Sequence, residues 1–142
     1  MTTVHVRKID EGQMPIKASE GAAGWDLFSN EYRVIMPGAV EVIRTGICVE
    51  MPSGYEGQVR PRSGLAAKYG VTVLNAPGTI DSDYRGEVKV ILINHGKRPF
   101  QVNRFARIAQ LVICSTASVI LVEKDELSTT TRGEGGLGST GV

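Results

Sequence analysis

The 142-residue sequence is poor in the side chains that announce redox, zinc or histidine chemistry: it has two cysteines and two histidines. Cys48 and Cys114 each sit in an apolar, β-like run, with no spacing that suggests a zinc site or a redox pair. Buried thiols are expected, and one disulfide between them is the alternative that a reducing cytosol disfavours. His5 and His95 lie far apart with no nucleophile motif beside either, so surface or structural roles are expected. Long apolar runs are also missing. Stretches such as 119–122 fall far short of the roughly 20 residues that span a bilayer, and no basic segment followed by an apolar block opens the chain. Neither charge sign prevails, since 16 Lys+Arg stand against 15 Asp+Glu for a net charge of +1. Overall charge therefore gives no attraction to nucleic acid or membrane, and anion binding must come from local charge. A soluble, cytoplasmic protein is the expectation.

No sustained 3.6-residue periodicity appears either. Short β-prone segments at 3–9, 32–36, 39–43, 47–51 and 55–59 are punctuated by Pro37-Gly38, Thr45-Gly46 and Pro52-Ser53-Gly54, and the pattern resumes at 100–105, 107–114 and 118–123. Closely spaced short strands predict an all-β sandwich or barrel in a single domain. One helix is expected over Ser63–Tyr69, with Ser63 as N-cap and Gly70 ending it.

The stretch 70–90, GVTVLNAPGTIDSDYRGEVKV, reads as two strands, 71–74 and 88–93, joined by an excursion of about a dozen residues. Such a loop is long for a hairpin, and long loops in compact domains tend to carry function. It offers an amide at Asn75, a carboxylate at Asp81, an aromatic face at Tyr84, and glycines that permit close backbone approach. Those are the parts of a pocket for a flat polar ring, although Tyr84 taken alone reads as a packing residue. Asp83 and Arg85 read as turn and salt-bridge residues.

Three further stretches carry candidate anion chemistry. Arg62, Ser63 and Gly64 place a guanidinium, a hydroxyl and free N–H groups at the start of the helix. On residue type alone they also fit an ordinary cap beside a solvated arginine. Gln110 interrupts the apolar run RIAQLVI. From Ser128 the chain turns glycine-rich, and STTTRGEGGLGSTGV would read as a disordered tail but for Arg132 and the Ser139-Thr140 pair, whose N–H and hydroxyl groups suit a phosphate. It lacks the Lys-Ser/Thr ending of a Walker A loop.

Taken in order, AAGWDLFS (22–29), RPRSGLA (60–66), the 70–90 stretch, RIAQLVI (107–113) and RGEGGLGSTG (132–141) resemble the five motifs of the trimeric dUTP diphosphatases. The resemblance implies a jelly-roll-like β-barrel over 1–127 with a flexible tail, 128–142, closing over a neighbouring subunit's site in a homotrimer. The implied reaction is hydrolysis of dUTP to dUMP and pyrophosphate by attack at the α-phosphorus, which limits uracil incorporation into DNA and supplies dUMP for dTMP synthesis. By resemblance Asp81 is the base that activates water. Asn75 and backbone groups at Thr79, Ile80 and Lys89 read uracil, while Tyr84 lies under the sugar and crowds a 2′-hydroxyl. Arg62, Ser63, Gly64, Gln110, Arg132, Gly138, Ser139 and Thr140 hold the phosphates. Asp26 helps hold Mg2+ through water, though Asp26 beside Trp25 also fits a turn residue next to a buried ring. Leu137 stands where the family usually has an aromatic, which weakens stacking on the base. Competing readings are a dCTP deaminase of the same superfamily, a non-catalytic nucleotide-binding relative and a ligand-free structural jelly roll.

Overall fold

The computed structural model describes residues 1–141. Ten strands and one helix follow the chain: β1 (His5–Lys8), β2 (Trp25–Phe28), β3 (Arg33–Ile35), β4 (Val40–Glu50), β5 (Tyr55–Arg60), α1 (Ser63–Tyr69), β6 (Val71–Val73), β7 (Gly78–Ile80), β8 (Glu87–Asn94), β9 (Phe100–Val102) and β10 (Arg107–Ser115). They form two four-stranded sheets, ordered β1-β4-β8-β6 and β2-β10-β5-β7, and a two-stranded β3-β9 pair. Every pairing is antiparallel. Because side chains alternate along a strand, each sheet turns one face inward. Along β8, Val88, Val90, Leu92 and Asn94 point in, and they meet Leu27, Val59, Ile80, Ile108 and Leu111 of the other sheet in one core. The all-β jelly-roll class with one short helix is thus the observed architecture.

The helix has its expected bounds but a different cap. Arg62 is the N-cap, extended at φ −94° and ψ 128°, and it makes no side-chain capping bond. Arginine carries no acceptor that could cap, and its guanidinium pairs with Asp26 instead; Ser63 is the first helical residue and is exposed. Gly70 ends the helix in the left-handed region at φ 68°. A Cβ there would meet the Gly96 backbone at 2.9 Å, so the position needs glycine twice over.

Two strand expectations are corrected. Segments 39–43 and 47–51 belong to one 11-residue strand, because Thr45-Gly46 forms a bulge with Gly46 at φ 68° instead of a turn. The segment 118–123 is no strand: residues 116–141 contain no helix or strand, and Val119, Ile120, Leu121 and Val122 are 74–98% exposed. Their β propensity alone does not place them in a sheet, and they pair with none of the open edges at β1, β2, β6 and β7. No disulfide forms; Cys48 is buried and Cys114 half-buried. Both histidines are exposed, and among the described residues no helix is long and apolar enough to cross a membrane.

Asn94 is the one fully buried amide of the core, and it shapes the turn after β8. Its Nδ2 donates to the Ile35 and Arg98 carbonyls at 2.9 and 2.8 Å, and its Oδ1 accepts the Gly96 N–H at 2.8 Å. Asn94→Ala should cost about 1–3 kcal/mol, since it strands buried partners. Urea unfolding measures this, and an unchanged midpoint would show the three bonds to be dispensable.

Candidate functional site

The strand ladder brings the first, second and fourth stretches together. Gln110 on β10 stands opposite Asp26 of β2 on one side and Arg60 of β5 on the other. Asp26, its side chain 12% exposed, pairs through Oδ1 with Arg62 Nε at 3.2 Å and through Oδ2 with Arg107 Nη1 at 3.3 Å. Arg62 also donates from Nη1 to the Arg107 carbonyl at 3.2 Å. Gln110 Nε2 donates to the Pro61 carbonyl at 2.9 Å, while its Oε1 lies against Gly24, where a Cβ would come within 2.2 Å. Gly24 is therefore glycine because the amide needs the space. Ser63 and Gly64 are exposed beside this cluster.

Arg107 is the residue that sequence reasoning missed. It lies within the RIAQLVI stretch, and its contact with Asp26 depends on β10 pairing with β2, which no local pattern reveals.

The third stretch forms a second, separate group. β6 and β8 pair as expected, but the excursion between them crosses to the other sheet, where β7 pairs with β5. Thr79 is exposed on β7, and Ile80 packs into the core. Asn75 is exposed before β7 with its Nδ2 close over Gly78, and it has no side-chain hydrogen bond among the described residues. The Asp81 carboxylate, just past β7, is exposed and makes no hydrogen bond or ion pair among those residues. The Tyr84 N–H closes the turn onto the Asp81 carbonyl at 3.1 Å. Arg85 staples this turn from Nη1 to the carbonyls of Ser82 (2.7 Å) and Tyr84 (3.1 Å), and reaches Glu50 at 3.6 Å, as expected of a turn and salt-bridge residue. Lys89 is exposed on β8 opposite Arg44.

Within this group Asn75 lies by Gly78, whereas Asp81 and the Arg62 cluster sit at opposite ends of one strand pair. Antiparallel register places Ile80 against Gly57 and Gly78 against Val59, so Asp81 follows one end while Arg62 lies beyond the other. At about 3.3 Å per residue they stand roughly 15 Å or more apart. The tail makes a third group. Arg132 donates from Nε only to the nearby Gly135 carbonyl at 2.9 Å, Gly138 adopts φ 78°, and Leu137, Ser139 and Thr140 are exposed. Val142, the last residue of the expected tail segment, lies outside the described residues.

Among the described residues no group of three or more His, Cys, Asp or Glu side chains could hold an ion, and both oxygens of Asp26 already face guanidiniums. A direct Asp26–metal bond does not fit this chain taken singly.

An all-β jelly roll with a guanidinium–carboxylate cluster, an uncommitted carboxylate on a strand-crossing loop and a glycine-rich arm defines a protein equipped for a multiply charged anion. A family model described as dUTPase matches residues 10–141. Relatives called deoxyuridine 5'-triphosphate nucleotidohydrolase include those of Alkaliphilus metalliredigens, 53% identical over all of this chain and 99% of that one, and of Clostridioides difficile, 52% identical over 99% of each. The dUTPase of Staphylococcus bacteriophage 80alpha, solved with dUPNHPP, superposes with a TM-score of 0.93 at 28% identity, covering both chains fully. A mutant dUTPase from phage phi11 of S. aureus, described with a structural Mg(II) ion, gives 0.81 at 27% identity over 87% of this chain and 97% of that one. The chain belongs to the dUTPase family.

Asp26→Asn should lower stability by about 1–2 kcal/mol by leaving two guanidiniums without their carboxylate, and Arg107→Met should cost less because Arg62 remains. Urea midpoints for both variants check this; equal or zero shifts would contradict the arrangement.

Proposed function

We propose that this protein hydrolyses dUTP to dUMP and pyrophosphate. The observation that carries the reading is the match of the dUTPase model to residues 10–141, with relatives of that activity more than 50% identical across the whole chain. The geometry supports it through Asp81, the exposed and unpaired carboxylate at the end of β7. In this reading Asp81 accepts a proton from water as the water oxygen bonds the α-phosphorus. The bond from that phosphorus to the bridging oxygen breaks, and pyrophosphate leaves with the electron pair. Arg62, Ser63, Gly64 and Gln110 bind the phosphates, and Arg132 with Gly138, Ser139 and Thr140 closes on the far end of the chain. Asn75 and the backbone at Thr79, Ile80 and Lys89 read uracil, and Tyr84 floors the deoxyribose.

Mg2+ accompanies the triphosphate in this proposal, its charge offsetting that of the phosphates, with Asp26 acting on it only through water. The catalytic unit is a homotrimer with shared sites, built on 1–127 and closed by the tail 128–142. Two features favour sharing. Asp81 and Arg62 lie too far apart within one chain to act on one triphosphate, and the apolar segment 119–122 stays exposed unless another copy covers it.

Pyrophosphate release from dUTP, dCTP, dTTP and UTP tests the proposal. Rapid turnover of dUTP alone is expected, with Asp81→Asn slower by about 10²–10⁴-fold while still binding nucleotide. Ammonia from dCTP, or dUTP binding without turnover, would overturn it. Leu137→Phe should tighten dUTP binding by restoring an aromatic face over the base, measurable as a lower KM; an unchanged or higher KM would show that the tail packs elsewhere.

A further inference from the structure

The loop carrying Asp81 and Tyr84 rejoins the fold at Glu87, where the sheet ladder is broken. β4 and β8 pair through Arg44↔Lys89 and then through Cys48↔Glu87, so Thr45, Gly46 and Ile47 stand against Val88 alone. Side chains fill the gap. Thr45 Oγ1 donates to the Val88 carbonyl, Glu87 Oε1 accepts the Gly46 N–H at 2.9 Å, and Glu87 Oε2 meets Arg44 Nε at 3.0 Å. The Glu87 side chain is 11% exposed, and Arg44 extends from Nη2 to Asp10. The hydrogen bond to Asp10, followed by that to Glu87, holds the Arg44 pKa above its ordinary value, so the guanidinium keeps its charge.

At its backbone end Glu87 holds Tyr84. The tyrosine hydroxyl donates to the Glu87 carbonyl at 2.9 Å, and the ring lies on Gly86, where a Cβ would come within 2.4 Å of Oη and 2.6 Å of Cζ. Gly86 thus lets the ring fold back, and the Glu87 carbonyl stops it. With the ladder interrupted beside Glu87, its carboxylate clasp takes over from the missing rungs in orienting that carbonyl.

We propose that Glu87 is a positioning residue for Tyr84: its clasped carboxylate fixes the carbonyl that anchors the tyrosine hydroxyl, and so sets how closely the ring approaches the sugar of a bound nucleotide. The inference rests on the reading above that Tyr84 floors the deoxyribose. It makes Glu87 a determinant of deoxyribose over ribose although it touches no substrate. Glutamate suits the position because its two oxygens accept from Gly46 and Arg44 at once. Glutamine keeps one acceptor and turns an amide towards the arginine.

The test compares kcat/KM for dUTP and UTP in the wild type, Tyr84→Phe, Glu87→Ala, Glu87→Gln and the Tyr84→Phe/Glu87→Ala double variant. Tyr84→Phe and Glu87→Ala should each lower the dUTP:UTP ratio on the order of five- to tenfold, the scale of one lost hydrogen bond, mainly through KM. Glu87→Gln should fall between Glu87→Ala and wild type, and the double variant should be no worse than either single one. A wild-type ratio in Glu87→Ala and Glu87→Gln beside a reduced ratio in Tyr84→Phe overturns the proposal, as does a double variant equal to the product of the singles. Should Glu87→Ala fail to fold, Glu87→Gln carries the comparison. A wild type that does not discriminate, or a Tyr84→Phe ratio equal to wild type, removes the sugar reading of Tyr84 and this proposal with it.

Discussion

The antiparallel register between β5 and β7 is the constraint on which the rest depends. Gly57 opposite Ile80 and Val59 opposite Gly78 decide that the chain leaves β7 into Asp81 at one end, while β5 delivers Arg62 and the helix at the other. β7 cannot slip by one residue along β5 without turning Ile80 out of the core and bringing Thr79 in. Two sets of functional side chains are thereby held apart by the same packing that stabilises the sandwich. A site that needs both must draw them from different copies, which is the physical root of the shared-site proposal.

Around the Arg62 end, charge and backbone are arranged as one unit. Asp26 orients two guanidiniums, the Pro61 carbonyl holds the Gln110 amide, and Gly24 leaves that amide its space. These side chains rise from three adjacent strands or their ends, so the sheet supplies their rigidity. The Asp81 end is organised differently, as a loop stapled by its own carbonyls to Arg85 and closed by the Tyr84 N–H. The third element, the arm after Ser115, is tied to the sandwich by the Thr116 N–H on the Gly54 carbonyl at 2.9 Å, and beyond that it has only local bonds among the described residues. In the proposed function the cluster and the loop bind the nucleotide and the arm closes over it.

Much of the fold was legible in the sequence because its strands are short and half-buried, so alternation and turn residues coincide. The helix end at Gly70 was readable from capping chemistry. The Thr45-Gly46 bulge was not, since a left-handed glycine inside a long strand looks the same in sequence as a turn, and the carboxylate that makes the bulge tolerable comes from Glu87, 41 residues on. Ser63 is the first helical residue and not the cap, because the extended backbone that opens the helix falls at Arg62, one residue earlier. Segment 118–123 has every local mark of a strand, yet a strand exists only when paired, and this segment pairs with none of the open edges at β1, β2, β6 and β7. The individual site residues stood out by type and order, whereas Arg107 needed the β2–β10 pairing to be seen at all.

The most direct test of the account is complementation between two inactive chains. Asp81→Asn and Arg62→Ala would be purified separately, unfolded and refolded together, and assayed for pyrophosphate release from dUTP. Each chain carries intact the piece that the other lacks, so the account predicts that mixed assemblies regain activity that neither variant shows alone. Mixed assemblies that form and remain inactive would contradict it, because both pieces would then have to come from a single chain.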